Sequence, residues 1–377
     1  MKRFLEYKIY RTNIPSQLAA MQDLLSQVAS VALTPVRLLF FCGAKTNEEF
    51  QLQRQTVESL CREHYTKNQP VVALIAQAPI ESTYAVEVTY ADPQCVDIAY
   101  HNNYIILNNN FLLSGAIYSS TNISITEQSN QIFSELGDIL ANEDYNINNI
   151  VRQWNYIENI TSLSPEGQNY QQFNDARSEF YSKTTWKNGY PAATGIGTAC
   201  GGVTVVVDAM RNSDICSEPI DNPLQISAHA YSQKVLINNN SAPNKTTPKF
   251  ERARRVECKE MEAIYISGTA AIRGENSCKD NDIISQIELT MENIEQLTSQ
   301  KDSKHKNDSQ EAGYENSMLR IYLKHRSNWP QVKQWVADNC ANVETLCIEA
   351  DICRSELLVE IEGIANKIIQ NRLIATL

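Results

Sequence analysis

The chain has 377 residues and a formal net charge of −11, so it is long enough for two domains of typical size and shows no general excess of positive charge for binding nucleic-acid phosphates. No stretch reaches the roughly 18 apolar residues that a membrane helix needs, so no association with a membrane is expected. The ten cysteines include neither a CxxC pair nor a Cys/His spacing typical of zinc sites, so we expect a soluble cytoplasmic protein with free thiols and no bound metal.

The first part of the chain predicts alternating strands and helices. The predicted strands cover residues 31–42, 71–80, 104–107 and 116–118, and the predicted helix covers residues 47–64. An Asn-rich turn separates the last two of these strands. This alternation indicates an N-terminal α/β domain over residues 1–148, whose role the sequence does not reveal.

Residues 149–377 form the second predicted domain. Strands are predicted over residues 203–207, 265–269, 318–323 and 347–361, and helices over residues 283–297 and from Trp329 onward. Residues 299–317 contain too few apolar side chains to pack and are predicted to be a mobile surface loop. The order strand, strand, helix, strand, helix, strand predicts a sheet with helices on one face.

Two local patterns suggest binding chemistry at first sight. Arg252, Arg254 and Arg255 make a short basic run, of which we expect Arg254 and Arg255 to lie on a solvated face. Gly195 and Gly197 lack the GxGxxG spacing and the following helix of a dinucleotide site. Neither pattern therefore predicts a cofactor.

Four stretches of the C-terminal part resemble the reactive-intermediate deaminase (YjgF-like) family. They are Tyr231-Ser232-Gln233, which resembles that family's PYSQ strand, the glycine-bearing strand at residues 266–269, the helix containing Gln286 and Asn293, and CRSELLVEIEGIA at residues 353–365. Their correct order implies an α+β fold with mixed sheets of the YjgF-like or chorismate-mutase-like type and helices packed on one face, preceded by the additional α/β domain.

Further motifs resemble the chorismatase family more closely. These are RQWNY at residues 152–156, YQQFNDAR at 170–177, PAATGIG at 191–197, NPLQISA at 222–228, FERA at 250–253 and SGTA at 267–270. The resemblance covers roughly residues 150–365. The chain departs from the family pattern after Tyr231, in the Asn-rich loop at residues 236–249 and at Glu251.

The resemblance implies that the chain releases pyruvate from chorismate without a cofactor. Cleaving the enol ether requires a proton on its methylene carbon, so the enzyme needs a neutral carboxylic acid there. Glu360 matches the catalytic glutamate of the family, and burial would keep it protonated. The alternative is that Glu360 and Glu362 are outward-facing residues of a half-buried strand.

Arg354 and Cys353 are the next candidates. Arg354 lies six positions before Glu360, which would place both on one face of a continuous strand, where the guanidinium could hold a substrate carboxylate. The alternative is a surface salt bridge with Glu356. Cys353 has odd spacing, so a bend near Ser355 must intervene if it lines the same pocket. In the family pattern a cysteine here accompanies formation of hydroxybenzoate, although it could instead be a small buried residue.

Four further candidates fall in matched motifs, and two more follow Ser267-Gly268-Thr269. Arg177, Arg252, Tyr170 and Tyr231 are candidates for binding the carboxylates and hydroxyl of chorismate, and each could alternatively be structural. Ala270 and Ala271 are candidates for setting how closely the ring approaches.

The expected product is 3-hydroxybenzoate. Its rivals are 4-hydroxybenzoate and 3,4-dihydroxycyclohexa-1,5-diene carboxylate, and rivals of another class are an enamine/imine deaminase and a non-catalytic binding protein. The partner expected is chorismate alone, and the sequence is compatible with a homo-oligomer.

Overall fold

A computed structural model describes residues 4–211, 216–233, 245–258, 261–278, 282–299 and 313–367. The loop predicted at residues 299–317 lies mostly outside these ranges, as does most of the loop at residues 236–249 that departs from the family pattern.

Twenty-two strands and six α-helices make up the described chain. The strands are β1 (Leu5–Thr12), β2 (Thr34–Phe41), β3 (Val71–Ile75), β4 (Ala78–Pro79), β5 (Tyr84–Ala91), β6 (Ile98–Tyr100), β7 (Tyr104–Leu107), β8 (Phe111–Ser114), β9 (Ile117–Tyr118), β10 (Ile150–Glu158), β11 (Leu163–Ser164), β12 (Gly167–Gln168), β13 (Ala192–Thr198), β14 (Val203–Met210), β15 (Cys216–Ile220), β16 (Ala253–Cys258), β17 (Met261–Ala270), β18 (Ile272–Arg273), β19 (Asn276–Ser277), β20 (Tyr314–Leu323), β21 (Glu344–Glu349) and β22 (Val359–Lys367). The helices are α1 (Gln17–Val28), α2 (Asn47–His64), α3 (Ile125–Asn142), α4 (Asn169–Ser182), α5 (Ile283–Thr298) and α6 (Trp329–Asn339).

Three sheets contain most of these strands. The N-terminal sheet has the order β1-β5-β2-β3, and the middle sheet has the order β13-β10-β14-β8-β7-β6 with β9 also paired to β14. The C-terminal sheet has the order β15-β16-β17-β22-β20-β21-β4. Parallel and antiparallel pairs occur together in each sheet, for example β2 with β3 and β2 with β5. All three are therefore mixed.

Each sheet packs two helices against one face. Apolar residues of α1 and α2 pack on the N-terminal sheet, those of α3 and α4 on the middle sheet, and those of α5 and α6 on the C-terminal sheet. The opposite faces of all three sheets contribute to one shared core. The prediction of helices on one face of the C-terminal sheet is confirmed.

Several predicted elements are confirmed. Helix α2 has the predicted ends, and α5 begins at Ile283, where the side chain of Asp282 accepts a hydrogen bond from the backbone N–H of Ser285. The division into domains at residue 148 stays a prediction. Strands from both sides of that position pair in the middle sheet, and β4 pairs with β21 of the C-terminal sheet.

Three predictions are wrong. The region at residues 347–361 is not one strand, because β21 ends at Glu349 and β22 begins only at Val359. Tyr231 follows a short 3₁₀ turn and is not part of a strand. Arg254 and Arg255 are buried, since both belong to β16, where Arg254 donates to the Tyr190 carbonyl and Arg255 pairs with Glu218.

The shared core contains a closed set of three ion pairs, which we call the ion-pair ring. Each sheet supplies one arginine and one carboxylate, and each pair joins two sheets. The pairs are Arg37 with Asp208, Arg152 with Glu362, and Arg320 with Glu87. Arg320 also reaches Glu362 at 2.8 Å. All six side chains are buried, so each charge depends on its partner for compensation.

Trp154 lies at the centre of the ion-pair ring. The guanidinium carbons of Arg37, Arg152 and Arg320 lie 5.0, 4.6 and 5.6 Å from its ring centroid. These distances are within the range of cation–π attraction, so the indole adds to the compensation of the three arginines.

Asp208→Asn should lower the free energy of unfolding by about 3–5 kcal/mol, because it leaves the buried Arg37 without a carboxylate. Urea unfolding measures this change. The matched control is the double variant Arg37→Met/Asp208→Leu, which removes both charges and should lose much less stability. A double variant as unstable as the single one would contradict a compensating role for this pair.

Candidate functional site

One cavity lies between the middle and C-terminal sheets and contains most of the candidate residues. Its lining is Gln168, Tyr170, Gln171, Asn174, Ala193, Gly195, Tyr231, Pro248, Phe250, Arg252, Gly268, Ala270, Ile272, Cys353, Arg354, Leu357 and Glu360. The strands β13, β17 and β22, the helix α4 and the segment between β21 and β22 therefore all contribute to it.

Glu360 reaches the cavity because of its position on β22. Successive side chains of a strand alternate between faces, so Val359 and Ile361 pack under α5 and α6 while Glu360 faces the middle sheet. The pairing of β17 with β22 shifts register between Ile266 and Thr269, which is typical of a β-bulge. At this bulge Gly268 lies beside the carboxyl group, where any Cβ atom would overlap Oε1 of Glu360. The glycine therefore leaves room for the acid.

The surroundings of the Glu360 carboxyl group favour its protonated form. Its side chain is 5% exposed, and burial raises its pKa to about 8, with a further increase from the negative charge of Glu362. Arg152, Arg252 and Arg354 act in the opposite direction. Burial is the largest of these effects, so desolvation of the carboxylate outweighs three nearby guanidinium groups.

Glu362 has the opposite properties although it lies only two residues away. It is 1% exposed, and the arginines Arg320 and Arg152 hold its pKa below the usual value. Tyr322 donates a hydrogen bond to it at 2.5 Å, and Thr194 is a second donor. The alternative that Glu360 and Glu362 face outward from a half-buried strand is wrong.

Cys353 and Arg354 line the cavity from the segment between β21 and β22. They do not share a continuous strand with Glu360, so the same-face argument from even spacing is wrong even though Arg354 does reach the pocket. Burial raises the pKa of the Cys353 thiol to about 12, with an added effect of Glu360, so the group is a neutral thiol. Arg354 donates to the Glu275 carbonyl and to Ser277 Oγ, each at 2.9 Å.

Arg252 and Arg354 both approach the ring of Tyr231. Their guanidinium carbons lie 5.3 and 5.2 Å from its centroid, and Arg252 Nη2 donates to the Tyr231 hydroxyl at 2.6 Å. Arg252 is buried, and its Nε has no hydrogen-bond partner among the described residues. A buried donor without a partner is costly, which suits a group that meets an anionic ligand.

The remaining candidates divide between the cavity wall and the layer behind it. Tyr170 and Ala270 line the cavity, whereas Arg177 and Ala271 are buried outside its lining. Arg177 donates to Asn174 Oδ1 at 2.6 Å, and Asn174 is itself a lining residue. Burial raises the pKa of Tyr170, so its hydroxyl remains a donor. Arg177 therefore contacts a residue of the cavity lining without lining the cavity itself.

Ten lining residues were not predicted from the sequence to be site residues. They are Gln168, Gln171, Asn174, Ala193, Gly195, Pro248, Phe250, Gly268, Ile272 and Leu357. Gln171 and Asn174 lie one helical turn apart on α4, in the same motif as Tyr170. That spacing was the available signal for assigning them to the cavity face.

The cavity is suited to a doubly negative ligand. Among its described lining residues, the side chains of formal charge are Arg252, Arg354 and Glu360, and Glu360 is neutral near pH 7. The lining therefore offers two positive charges and one proton donor. Within the described ranges, no group of three or more His, Cys, Asp or Glu side chains could hold a metal ion. No described helix has the length and apolarity to cross a bilayer.

Comparisons with known proteins show which sequences and folds this chain resembles. A family model described as "Chorismatase FkbO/Hyg5-like, N-terminal" matches residues 89–209. A 3-hydroxybenzoate synthase of Streptomyces hygroscopicus is 28% identical over 232 residues, which cover 59% of this chain and 65% of that protein. A chorismatase of Streptomyces rapamycinicus is 27% identical over 239 residues, which cover 62% and 68%. The match thus spans just under two thirds of the first relative.

The fold itself is that of a chorismatase. A crystal structure described as a chorismatase superposes with a TM-score of 0.69 at 20% identity and covers 97% of this chain and 99% of that one. This agreement confirms the predicted α+β class. In sequence the chain is similar to the FkbO/Hyg5-like chorismatases, in agreement with the resemblance of its motifs.

The protonated form of Glu360 should be visible without any ligand. The carbonyl stretch of its un-ionised carboxyl group, followed by infrared difference spectroscopy, should disappear as the pH rises through about 8. The same band should be missing in Glu360→Gln. A band that titrates in the ordinary range of glutamate would show that burial does not control this group.

Proposed function

We propose that the chain removes the enolpyruvyl group of chorismate and yields pyruvate and a hydroxybenzoate, specifically 3-hydroxybenzoate. The observation that best supports this is the match of charge and acidity in the cavity. Chorismate has two carboxylates and an acid-labile enol ether, and the lining has two arginines and one buried neutral carboxylic acid. The proposal needs no cofactor, nucleic acid or membrane.

Glu360 is the proposed general acid. It donates its proton to the methylene carbon of the enol ether, which becomes a methyl group, and leaves an oxocarbenium ion at the neighbouring carbon. The ring hydroxyl then attacks the adjacent ring carbon that carries the ether oxygen, and the bond from that carbon to the ether oxygen breaks as pyruvate leaves. The hydroxyl proton returns to the Glu360 carboxylate, and the resulting arene oxide isomerises to the hydroxybenzoate. The two products together have the composition of chorismate, so pyruvate and hydroxybenzoate form without net consumption of water.

Arg252 and Arg354 are the proposed carboxylate ligands. Both lower the pKa of Glu360 while the cavity is empty. A bound dianion would offset their charge, so substrate binding raises the pKa of the acid at the moment its proton is needed. Tyr231 fixes the direction of the Arg252 guanidinium through its hydroxyl. Tyr170 is proposed as a hydroxyl ligand, and Arg177 as a residue that orients Asn174.

Cys353 is proposed to determine whether the ring hydroxyl or water reacts after the oxocarbenium ion has formed. It lines the cavity with Glu360, and its un-ionised thiol is a weak hydrogen-bond partner for water. Attack by the ring hydroxyl is therefore favoured over attack by water. The relative that is named a 3-hydroxybenzoate synthase supports the same product. Ala270, with Ala271 behind it, leaves room for the ring.

Incubation with chorismate tests the proposal directly. We expect pyruvate, detected with a coupled lactate dehydrogenase assay, together with 3-hydroxybenzoate, identified by chromatography. Turnover should fall as the pH rises through the pKa of Glu360, because only the protonated acid is active. Absence of pyruvate would overturn the proposed reaction, whereas pyruvate with a diene diol or 4-hydroxybenzoate would overturn only the product.

Glu360→Gln should lose at least about 100-fold in kcat, because an amide cannot supply the proton. It should still bind chorismate, because both arginines and the shape of the cavity remain. Isothermal titration calorimetry with the variant measures this binding. Undiminished turnover would assign the proton donor to another residue.

Cys353→Ala should shift the products from hydroxybenzoate toward the diene diol, because the smaller side chain admits water beside the oxocarbenium ion. Product ratios by chromatography measure the shift. Cys340→Ala is a matched control, since this thiol is buried at the C-terminal end of α6 and does not line the cavity. A product ratio that is the same in both variants and the wild type would contradict the role of Cys353.

A further inference from the structure

Glu362 is a buried ionised carboxylate that the proposed reaction does not use. It follows Glu360 at the next position on the same face of β22, and it belongs to the ion-pair ring. Its partner Arg152 is also one of the three guanidinium groups that act on Glu360. Two neighbouring glutamates therefore compete for one arginine.

We propose that Glu362 is a positioning residue that keeps Glu360 protonated, because it occupies Arg152 and places a fixed negative charge beside the acid. This inference rests on the proposed function, in which Glu360 must enter the reaction as a neutral acid. Glu362 acts through Glu360 and Arg152 and is not itself one of the residues that line the cavity.

The contacts of Glu362 fix it in the ionised state. Arg320 Nη1 lies 2.8 Å from Oε1, Tyr322 donates to the same oxygen at 2.5 Å, and Arg152 and Thr194 both donate to Oε2. Four donors from three strands converge on one carboxylate. A carboxylate that accepts several charge-assisted bonds holds its charge firmly, so it is a fixed negative neighbour for Glu360.

The charge balance of the ion-pair ring explains why Arg152 does not ionise Glu360. The ring contains three arginines and three carboxylates, so its buried charges already cancel. Ionising Glu360 would add a fourth negative charge next to Glu362 with no additional buried arginine in the ring. The only compensation would come from Arg252 and Arg354 among the described cavity residues, and those are the proposed substrate ligands.

Apart from Glu362, the groups named around Glu360 are positively charged or neutral. On its own strand it faces Glu362, from β10 it faces Arg152, and from α4 it faces Tyr170. Arg252 precedes β16, and Cys353 and Arg354 come from the segment before β22. Tyr170 and Cys353 are neutral at pH 7. Among these groups, Glu362 is therefore the one that places a negative charge next to Glu360.

The titration of Glu360 in three variants tests the inference. By infrared difference spectroscopy without substrate, Glu362→Gln should move the midpoint of the Glu360 carboxyl band to lower pH by at least about one unit, because it removes the neighbouring negative charge and frees Arg152. Glu362→Asp retains the charge and should keep the midpoint near that of the wild type. A midpoint in Glu362→Gln that equals the wild-type value would overturn the inference.

Glu87→Gln is the matched control. It removes a carboxylate from the same ring, but Glu87 lies on the N-terminal sheet and pairs with Arg320 rather than with Arg152. It should shift the midpoint less than Glu362→Gln. An equal shift would show that only the total charge of the ring matters and would overturn the specific role of Glu362.

A charge-balanced variant covers failure to fold. If Glu362→Gln does not fold, the double variant Glu362→Gln/Arg320→Met replaces it, because it removes one charge of each sign. The midpoint of the Glu360 carboxyl band should again move to lower pH. An unchanged midpoint in the double variant would overturn the inference. Because the titration needs no chorismate, loss of the proposed function and failure of this inference are separate results. Where turnover is observed, the high-pH limb of kcat/KM should move with the infrared midpoint.

Discussion

The ion-pair ring is the constraint on which the rest of the structure depends. Six charged side chains lie in the core shared by three sheets, and each sheet contributes one charge of each sign. Burial of an unpaired charge costs several kcal/mol, so the three sheets must be placed accurately relative to one another for all three pairs to form. Apolar packing alone would tolerate small displacements between sheets that these pairs do not.

The proposed active site lies next to the ion-pair ring, but its acid is shifted in the opposite direction from the carboxylate of the ring, toward the neutral form. Glu362 is surrounded by donors and stays charged, whereas Glu360, two residues away, is desolvated and stays neutral. Two carboxyl groups on one strand face thus differ because their surroundings differ. A pair of titratable groups pushed in opposite directions is a common feature of acid–base sites, and here β22 supplies both members.

Local patterns in the sequence predicted much of the fold and of the cavity. The ends of α2, the cap at Asp282 and the lining roles of Glu360, Arg252, Tyr231 and Arg354 could all be predicted, because each depends on nearby residues or on a matched motif.

Features that depend on distant parts of the chain could not be predicted. The burial of Arg254 and Arg255 depends on Tyr190 and Glu218, and the place of Arg152 depends on Glu362, more than 200 positions later. The sequence of a run of arginines is the same whether their side chains face solvent or pair with distant residues of the chain. The break between β21 and β22 was missed because apolar residues such as Leu357 continue through it to form the cavity wall.

The break has a consequence for how such a protein can diverge. Residues 350–358 connect two strands of the C-terminal sheet, and three of their side chains, Cys353, Arg354 and Leu357, line the cavity. Substitutions in this connector can alter the shape and wetness of the pocket while the acid and the buried charges remain in place. Selection can therefore act on the outcome of the reaction and on the stability of the scaffold through different residues.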